Sequence, residues 1–318
     1  MRTKITIAGA GQTGATLAHW LALRGDVDIV LYDIVEGMPQ GKALDLQQAM
    51  PIIGSDARIV GTNEWGPTEG SAIVVITSGM PRKPGMSRDD LLKVNAEIVQ
   101  SVTRNAVALS PDAILMLLTN PLDAMCHIAL HVSGFPPERV FGQAGILDTA
   151  RFRAFLAMET GYSVAEINAY VLGGHGDDMV PLIGCTSIGG VPVSNLIPSD
   201  RLEAIVERTR KGGGEIVSLL KTGSAFYAPS AALAQMIDAV LNDRKRILPC
   251  SVYTGDNGGG YGVSELYLGL PAVIGRNGVE QIVPMELTPD EQEALQKSAS
   301  SVRELVNALR NFDPPMLP

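Results

Sequence analysis

The sequence is short of several features that would indicate particular classes of protein. Only three cysteines occur in 318 residues, Cys126, Cys185 and Cys250, and their spacing fits neither a disulfide framework nor a metal site. No apolar run approaches the roughly 20 residues that span a membrane, and no basic block or signal peptide is recognisable. The net charge of −9 argues against binding to nucleic acid. These absences predict a cytoplasmic protein of about two domains, without nucleic-acid or membrane partners.

The first residues have the pattern of a nucleotide site. An alternating, β-rich run at 4–8 leads directly into Gly9-Ala-Gly-Gln-Thr-Gly14, and an apolar segment with helical spacing follows. In this context the glycines allow a tight turn, a close approach to a pyrophosphate and packing of the helix on the strand. Asp33 ends a second predicted strand, where an acid binds the ribose hydroxyls of NAD and disfavours the extra phosphate of NADP. The segment therefore predicts an NAD site.

Alternating strands and helices in the first half predict the fold class. Continuous apolar runs at 72–76 and 113–118 are typical of central parallel strands, and helical periodicity lies between them. We predict an α/β protein with an N-terminal Rossmann doubly wound parallel sheet over residues 1–145 and a C-terminal α+β substrate domain over 146–318. In that second half we expect helices at 149–160, 199–220, 230–241 and 288–310, strands at 248–253 and 267–274, and a disordered tail at 313–318.

Polar turns follow two of the predicted central strands. They are residues 77–80 and the sequence Thr119-Asn-Pro121. Ligands of doubly wound sheets bind at the carboxyl ends of the strands. We therefore expect Asn120, and the loop from Gly79 to Arg88, to lie near the cofactor.

His175 is flanked by glycines, which allow a close backbone approach and make an ordinary core histidine a poor explanation. A histidine can transfer a proton near neutral pH, and a carboxylate such as Asp148 can orient it. Three arginines, Arg82, Arg88 and Arg151, indicate an anionic substrate with more than one carboxylate or phosphate. These residues predict proton transfer on a small anionic molecule.

The assembled motifs resemble the lactate/malate dehydrogenase superfamily, and within it the malate dehydrogenases of the lactate-dehydrogenase-like bacterial type. The resemblance extends from Gly9 to about Arg310. It implies reversible, NAD-dependent oxidation of (S)-malate to oxaloacetate by hydride transfer. It also implies a small-molecule dicarboxylate substrate and a homo-oligomer, either a tetramer or a dimer.

The resemblance assigns a role to each motif. The catalytic residues would be His175 as proton acceptor, Asp148 as the group that holds its imidazole, and Arg88 as the group that polarises the carbonyl oxygen. Substrate would be bound by Arg82 at the distal carboxylate, by Arg151 at the carboxylate beside the reacting carbon, and by Arg88 and Asn120. The expected cofactor-binding residues are Gly9, Ala10, Gly11, Gln12, Thr13, Gly14, Asp33, Asn95, Leu118, Thr119 and Asn120. No metal is expected.

Three alternatives stay open. A lactate or broader 2-hydroxy-acid dehydrogenase would share most of these motifs, but lactate dehydrogenases typically carry glutamine at the position of Arg82. An NAD- and metal-dependent glycosidase would need a metal-binding cysteine–histidine pair, and the helically spaced His127 and His131 lack an acidic partner. A non-catalytic nucleotide sensor would have no use for His175 and the arginines.

Overall fold

A computed structural model of the chain describes residues 2–81 and 87–318. Parallel strands of the first half form one side of a sheet, in the order β6-β5-β4-β1-β2-β3 with β3 at the edge. This is the strand order of the doubly wound dinucleotide-binding fold, so the predicted α/β class is confirmed. The strands are β1 (Thr3–Ala8), β2 (Val27–Tyr32), β3 (Arg58–Thr62), β4 (Ile73–Ile76), β5 (Ile114–Leu117) and β6 (Val140–Gln143).

Helices connect these strands. Every residue of β4 and β5 is buried, as expected for parallel strands that are covered on both faces. A capping box at Ser87, whose hydroxyl accepts a hydrogen bond from the Asp90 amide, begins the third helix. The helices of this half are α1 (Gln12–Ala22), α2 (Met38–Ile53), α3 (Arg88–Leu109) and α4 (Leu122–Ser133).

The second half combines helices with short and long antiparallel strands. The longer strands do not form a sheet of their own, because β12 pairs with β6 and thereby extends the central sheet as β14-β13-β12-β6. The elements are α5 (Gly145–Thr160), β7 (Ile167–Asn168), β8 (Val171–Leu172), β9 (Val180–Pro181), β10 (Ser187–Ile188), β11 (Val191–Pro192), α6 (Ser199–Leu220), α7 (Tyr227–Leu241), β12 (Arg246–Tyr253), β13 (Tyr267–Gly275), β14 (Gly278–Ile282) and α8 (Pro289–Arg310).

One hydrophobic core is shared by both halves. It includes Ile5 and Leu115 from the parallel strands together with Leu233, Leu270 and Leu309 from the later elements. A smaller cluster packs α5 and α6 against the short strands. The Ser230 hydroxyl of α7 also donates to the Thr13 carbonyl of α1 at 2.8 Å. Helix α7 of the second half thus contacts helix α1 of the first half directly.

Several expectations about the second half differ from the structure, and the helix expected at 230–241 begins at Tyr227. Helix α5 begins at Gly145 instead of 149, and its N-cap residue Ala144 has no side-chain cap that could have marked the start in the sequence. The predicted disorder of the tail is wrong, because Leu317 is 6% exposed and the Met316 amide donates to the Leu309 carbonyl. The apolar tail residues fold back onto α8 and bury their surface.

In the part of the chain that the structure describes, no helix is both long and apolar enough to cross a membrane. Within residues 2–81 and 87–318, no group of three or more histidine, cysteine or acidic residues could hold a metal ion. His127 is buried, and its Nε2 accepts a hydrogen bond from the Tyr267 amide at 3.0 Å. His131, one turn later on α4, is exposed.

His127 should make stability fall on acidification. Burial, followed by the charge of Arg310, lowers the pKa of His127 from 6.5 to about 4. The unfolded chain therefore takes up this proton near pH 6.5 and the folded chain only near pH 4, so acidification between these values favours unfolding by about 3 kcal/mol. His127→Gln keeps an acceptor but does not titrate. Urea unfolding at pH 7 and 4.5 should show a smaller loss of stability in this variant.

His131→Gln is the matched control, since it removes an exposed histidine from the same helix. It should follow the native protein at both pH values. If His127→Gln and the native protein lost stability equally on acidification, His127 would not be the cause of that loss.

Candidate active site

The glycine turn lies at the carboxyl end of β1. A Cβ on Gly9, at φ +114°, would lie 2.5 Å from the Thr77 Oγ1, and a Cβ on Gly14 would lie 1.8 Å from the Gly9 carbonyl oxygen. These two glycines are therefore required by the packing of the protein itself. A Cβ on Gly11, by contrast, would meet nothing within 4 Å. The open side of Gly11 leaves room for a ligand to approach the backbone.

The first turn of α1 follows this open position. Gly11 is its N-cap, and in the described residues no side chain caps the helix. Free N–H groups and the positive end of the helix dipole suit a pyrophosphate, so the turn fits a dinucleotide. Lys42, which the sequence analysis missed, donates from Nζ to the Ala10 carbonyl at 2.7 Å.

Asp33 is placed beside the glycine turn, as expected from its position after β2. Its Oδ2 accepts from the Ala10 amide at 2.8 Å and its Oδ1 accepts from the Val35 amide at 3.0 Å. The side-chain Nδ2 of Asn63 in turn donates to the Asp33 backbone carbonyl at 2.7 Å. The carboxylate is thus fixed in orientation while the side chain stays only half-buried.

The turns after β4 and β5 meet at Asn95 of α3. The Asn95 Oδ1 accepts from the Met80 amide at 2.7 Å, and its Nδ2 donates to the carbonyls of Met80 and Asn120 at 3.2 and 2.7 Å. The Thr119 hydroxyl donates to the Ser78 carbonyl at 2.6 Å. Asn95 and Thr119 are buried within this contact, whereas Leu118 is half-buried and Asn120 is exposed. Their expected cofactor contacts stay predictions.

His175, Asp148 and Arg151 come together as predicted from the sequence. The His175 Nδ1 lies 2.8 Å from the Asp148 Oδ2, and the Arg151 Nη1 lies 3.2 Å from the Asp148 Oδ1. Asp148 and Arg151 stand one turn apart on α5 because that helix begins at Gly145. Asp148 is 2% exposed, whereas His175 is partly accessible. One buried carboxylate therefore orients both the histidine and the arginine.

A second buried carboxylate supports the backbone at His175. The Asp123 Oδ2 accepts from the His175 amide at 3.0 Å, and its Oδ1 accepts from the Ser251 hydroxyl at 2.6 Å. The Gly174 amide donates to the Ser298 hydroxyl at 2.9 Å. Asp123 was not predicted from the sequence. It stands one turn before His127 on α4, so the histidine pair does have an acid nearby in sequence, and an acid in a largely apolar helix is a signal that could have found it.

The charges around His175 favour its protonated form. Burial alone would lower the pKa of His175, but the charge and hydrogen bond of Asp148, together with the charge of Asp123, outweigh burial and the opposing Arg151 and raise it. Burial raises the pKa of the Asp123 carboxyl, against the hydrogen bonds from Ser251 and His175. His175 can therefore carry a proton near neutral pH and transfer it to a bound molecule.

His175 and Arg151 face an open cleft of about 610 Å³ between α6 and the loop after β8. Arg210 and Lys211 of α6 also line it, and both are paired with Glu207. Neither cation was predicted from the sequence as a site residue. The lining therefore combines three cations with the acids Asp177 and Glu215, and among the cations Arg151 stands beside the proton-transfer group, where it can bind a small carboxylate.

The two remaining arginines are not part of this described cluster. Arg88 is the exposed first residue of α3, and within the described residues it makes no hydrogen bond to His175, Asp148 or Arg151. Arg82 lies outside the described residues. The roles of both stay predictions.

Comparison with known families matches nearly the whole chain. Residues 3–142 match the family described as lactate/malate dehydrogenase, NAD binding domain, and residues 146–313 match the lactate/malate dehydrogenase alpha/beta C-terminal domain. The chain is 59% identical to the malate dehydrogenase of Thermomicrobium roseum over 312 residues, covering 98% of this chain and 100% of the relative.

Solved structures give the same result. The crystal structure of Cryptosporidium parvum malate dehydrogenase is 45% identical with a TM-score of 0.94, covering 98% of this chain and 100% of that one. The lactate dehydrogenase of the same organism, complexed with lactic acid and nicotinamide adenine dinucleotide, is 41% identical with a TM-score of 0.94, covering 98% and 99%. The backbone fold therefore does not separate malate from lactate enzymes, and only side chains can.

Proposed function

Because this chain belongs to the lactate/malate dehydrogenase family, we propose that it catalyses the reversible, NAD-dependent oxidation of (S)-malate to oxaloacetate. The observation that carries the proposal is the pairing of His175 with the buried Asp148, beside Arg151, in an open cleft. A hydrogen-bonded Nδ1 leaves the Nε2 of His175 for substrate. Acid–base chemistry on a carboxylate-bearing molecule follows from this arrangement.

In the direction of malate oxidation, neutral His175 accepts the proton of the C2 hydroxyl. Asp148 keeps the imidazole oriented and stabilises its charged form once the proton has arrived. A dinucleotide held at the glycine turn would supply the hydride acceptor for C2. In the reverse direction, protonated His175 returns the proton to the carbonyl oxygen of oxaloacetate.

The arginines orient the substrate. Arg151 binds the carboxylate beside C2 through two parallel hydrogen bonds, a geometry that guanidinium groups favour. Arg88 polarises the C2 oxygen, and Arg82 pairs with the distal carboxylate. Asn120 contacts both substrate and cofactor.

The glycine turn and its neighbours hold NAD. The open face of Gly11 and the uncapped start of α1 support binding of the pyrophosphate there, and Asp33 accepts hydrogen bonds from the ribose. The remaining contacts come from Gly9, Ala10, Gln12, Thr13, Gly14, Asn95, Leu118, Thr119 and Asn120.

A steady-state assay of oxaloacetate against pyruvate, each with NADH and with NADPH, tests the function. Oxaloacetate with NADH should give the highest kcat/KM. A preference for pyruvate would instead assign the protein to the lactate branch, which shares its fold. No turnover of either acid would overturn the proposal.

Asp33 should make the protein select NADH over NADPH. A phosphate beside this fixed carboxylate would cost about 3 kcal/mol, or roughly a hundredfold in kcat/KM. Asp33→Ser should narrow the gap between the two cofactors in an oxaloacetate reduction assay. Glu36→Ser removes an exposed acid from the same loop and should leave the gap unchanged. Equal use of both cofactors by the native protein would exclude this role.

We further propose the domain organisation, cellular location and oligomeric state of the protein. Residues 1–145 form the dinucleotide-binding domain and residues 146–318 the substrate domain, a division supported by the change from parallel to antiparallel strands. The enzyme works in the cytoplasm, consistent with three free cysteines, on a small dicarboxylate. It forms a homotetramer, with the dimer as the alternative, and light scattering should give a multiple of the 33.6 kDa chain mass.

A further inference from the structure

Three consecutive glycines, Gly212 to Gly214, lie inside α6 at a large cost in helix propensity. An interior glycine costs about 1 kcal/mol relative to alanine. The φ angles of all three lie outside the left-handed region, so alanine could adopt the same backbone at each position. The backbone conformation therefore does not explain why glycine is used here.

Only one of the three glycines, Gly212, lies on the buried face of α6. The buried residues of this helix are Leu202, Ile205, Thr209 and Gly212, which follow the spacing of a single helix face. Gly213 is half-buried and Gly214 is exposed. A side chain would be expected at position 212 to fill the continuation of this face, and none is present.

The space at position 212 is occupied by Arg151. A Cβ on Gly212 would lie 2.3 Å from the Arg151 Cδ, 2.9 Å from its Nε and 3.2 Å from its Cγ. A Cβ on Gly213 would meet only the Arg151 Nη2, at the ordinary distance of 3.8 Å, and a Cβ on Gly214 would meet nothing within 4 Å. Of the three positions, only 212 could not carry a Cβ while Arg151 keeps its observed conformation.

We propose that Gly212 is a positioning residue, whose missing side chain lets the stem of Arg151 cross α6 and present its guanidinium to Asp148 and the substrate carboxylate. This rests on the proposed function, because it assigns Arg151 to the substrate. A methyl group at position 212 would press on the middle of a flexible side chain. The arginine would then move, while the helix itself would not have to unfold.

Gly212→Ala should therefore fold and lose substrate affinity. We expect kcat/KM to fall roughly ten- to a hundredfold, the worth of a hydrogen bond to a charged group. The loss should be similar for oxaloacetate and pyruvate, which share the carboxylate that Arg151 binds, and should fall mainly on KM. NADH affinity, measured by fluorescence titration, should stay unchanged.

Gly41→Ala is the matched control, because it makes the same substitution at an exposed position inside helix α2, where a Cβ would meet nothing within 4 Å. Its kcat/KM should stay within about twofold of the native value, and its Tm should rise by about 1–3 °C from improved helix propensity. In an Arg151→Ala background, Gly212→Ala should cause no further loss of kcat/KM and should raise Tm as Gly41→Ala does.

Two results would overturn the proposal. One is a native kcat/KM in Gly212→Ala, and the other is an equal loss from Gly212→Ala with and without the Arg151 side chain. If the native protein reduced neither acid, the proposed function would fall instead. The Tm comparison would still show whether Gly212 accommodates Arg151.

Discussion

His175→Asn should lower the turnover of malate and of oxaloacetate by roughly two to four orders of magnitude. Asparagine is polar and compact but cannot exchange a proton with substrate. Asp148→Asn should be similarly severe, because an amide can still hold the imidazole but cannot stabilise its charge. NADH affinity should survive in both variants, since neither residue belongs to the glycine turn. Near-native turnover in either variant would remove that residue from the mechanism.

The pH dependence gives a second readout of His175. Malate oxidation needs the neutral imidazole and should therefore decline on acidification. Because the pKa of His175 is raised, this decline should begin at a higher pH than an ordinary histidine would give. Oxaloacetate reduction needs the protonated form and should decline as pH rises through the same value. His131→Asn, on the exposed side of α4, should leave both profiles unchanged.

Arg82→Gln should produce the largest change in substrate preference. Oxaloacetate carries a distal carboxylate that pyruvate lacks, and a closed site built for such a group can reject the analogue without it by roughly four to five orders of magnitude. The variant removes the positive charge but keeps a long polar side chain. Steady-state kinetics should show a much greater loss for oxaloacetate than for pyruvate.

Two further variants separate this role from general effects of charge. Lys83→Gln removes the neighbouring positive charge and should leave the preference intact. Arg151→Gln should damage both substrates alike, because both carry the carboxylate that it binds. An equal loss of the two activities in Arg82→Gln would mean that Arg82 does not select the dicarboxylate.

Much of the fold could be predicted because local pattern and tertiary structure agree in several elements of both halves. The glycine turn, the apolar strands β4 and β5 and the capped helix α8 all carry signals that depend on near neighbours in sequence. The start of α5 carries no capping residue, so its first turn could not be found. The pairing of β12 with β6 depends on contacts distant in sequence, and no local pattern encodes it.

The candidate site divides in the same way. His175, Asp148 and Arg151 were predicted together and lie in contact. Asp123 was missed because its partners, the His175 amide and the Ser251 hydroxyl, are brought to it only by the fold. The space at Gly212 was missed because it is defined by a side chain from another helix.

The continuous sheet has a consequence for how substrate is enclosed. The pairing of Cys250 with Gln143 and of Ser251 with Gly142 joins the two halves through a shared backbone ladder, and the same hydrophobic core runs beneath it. A hinge opening between the halves would have to break both. We therefore expect closure over the substrate to involve surface segments, and the glycine turn and His175 to keep their separation when ligand binds. Folding would then already fix the cofactor site and the proton-transfer group relative to each other, so less orientational entropy is lost when the reactants bind.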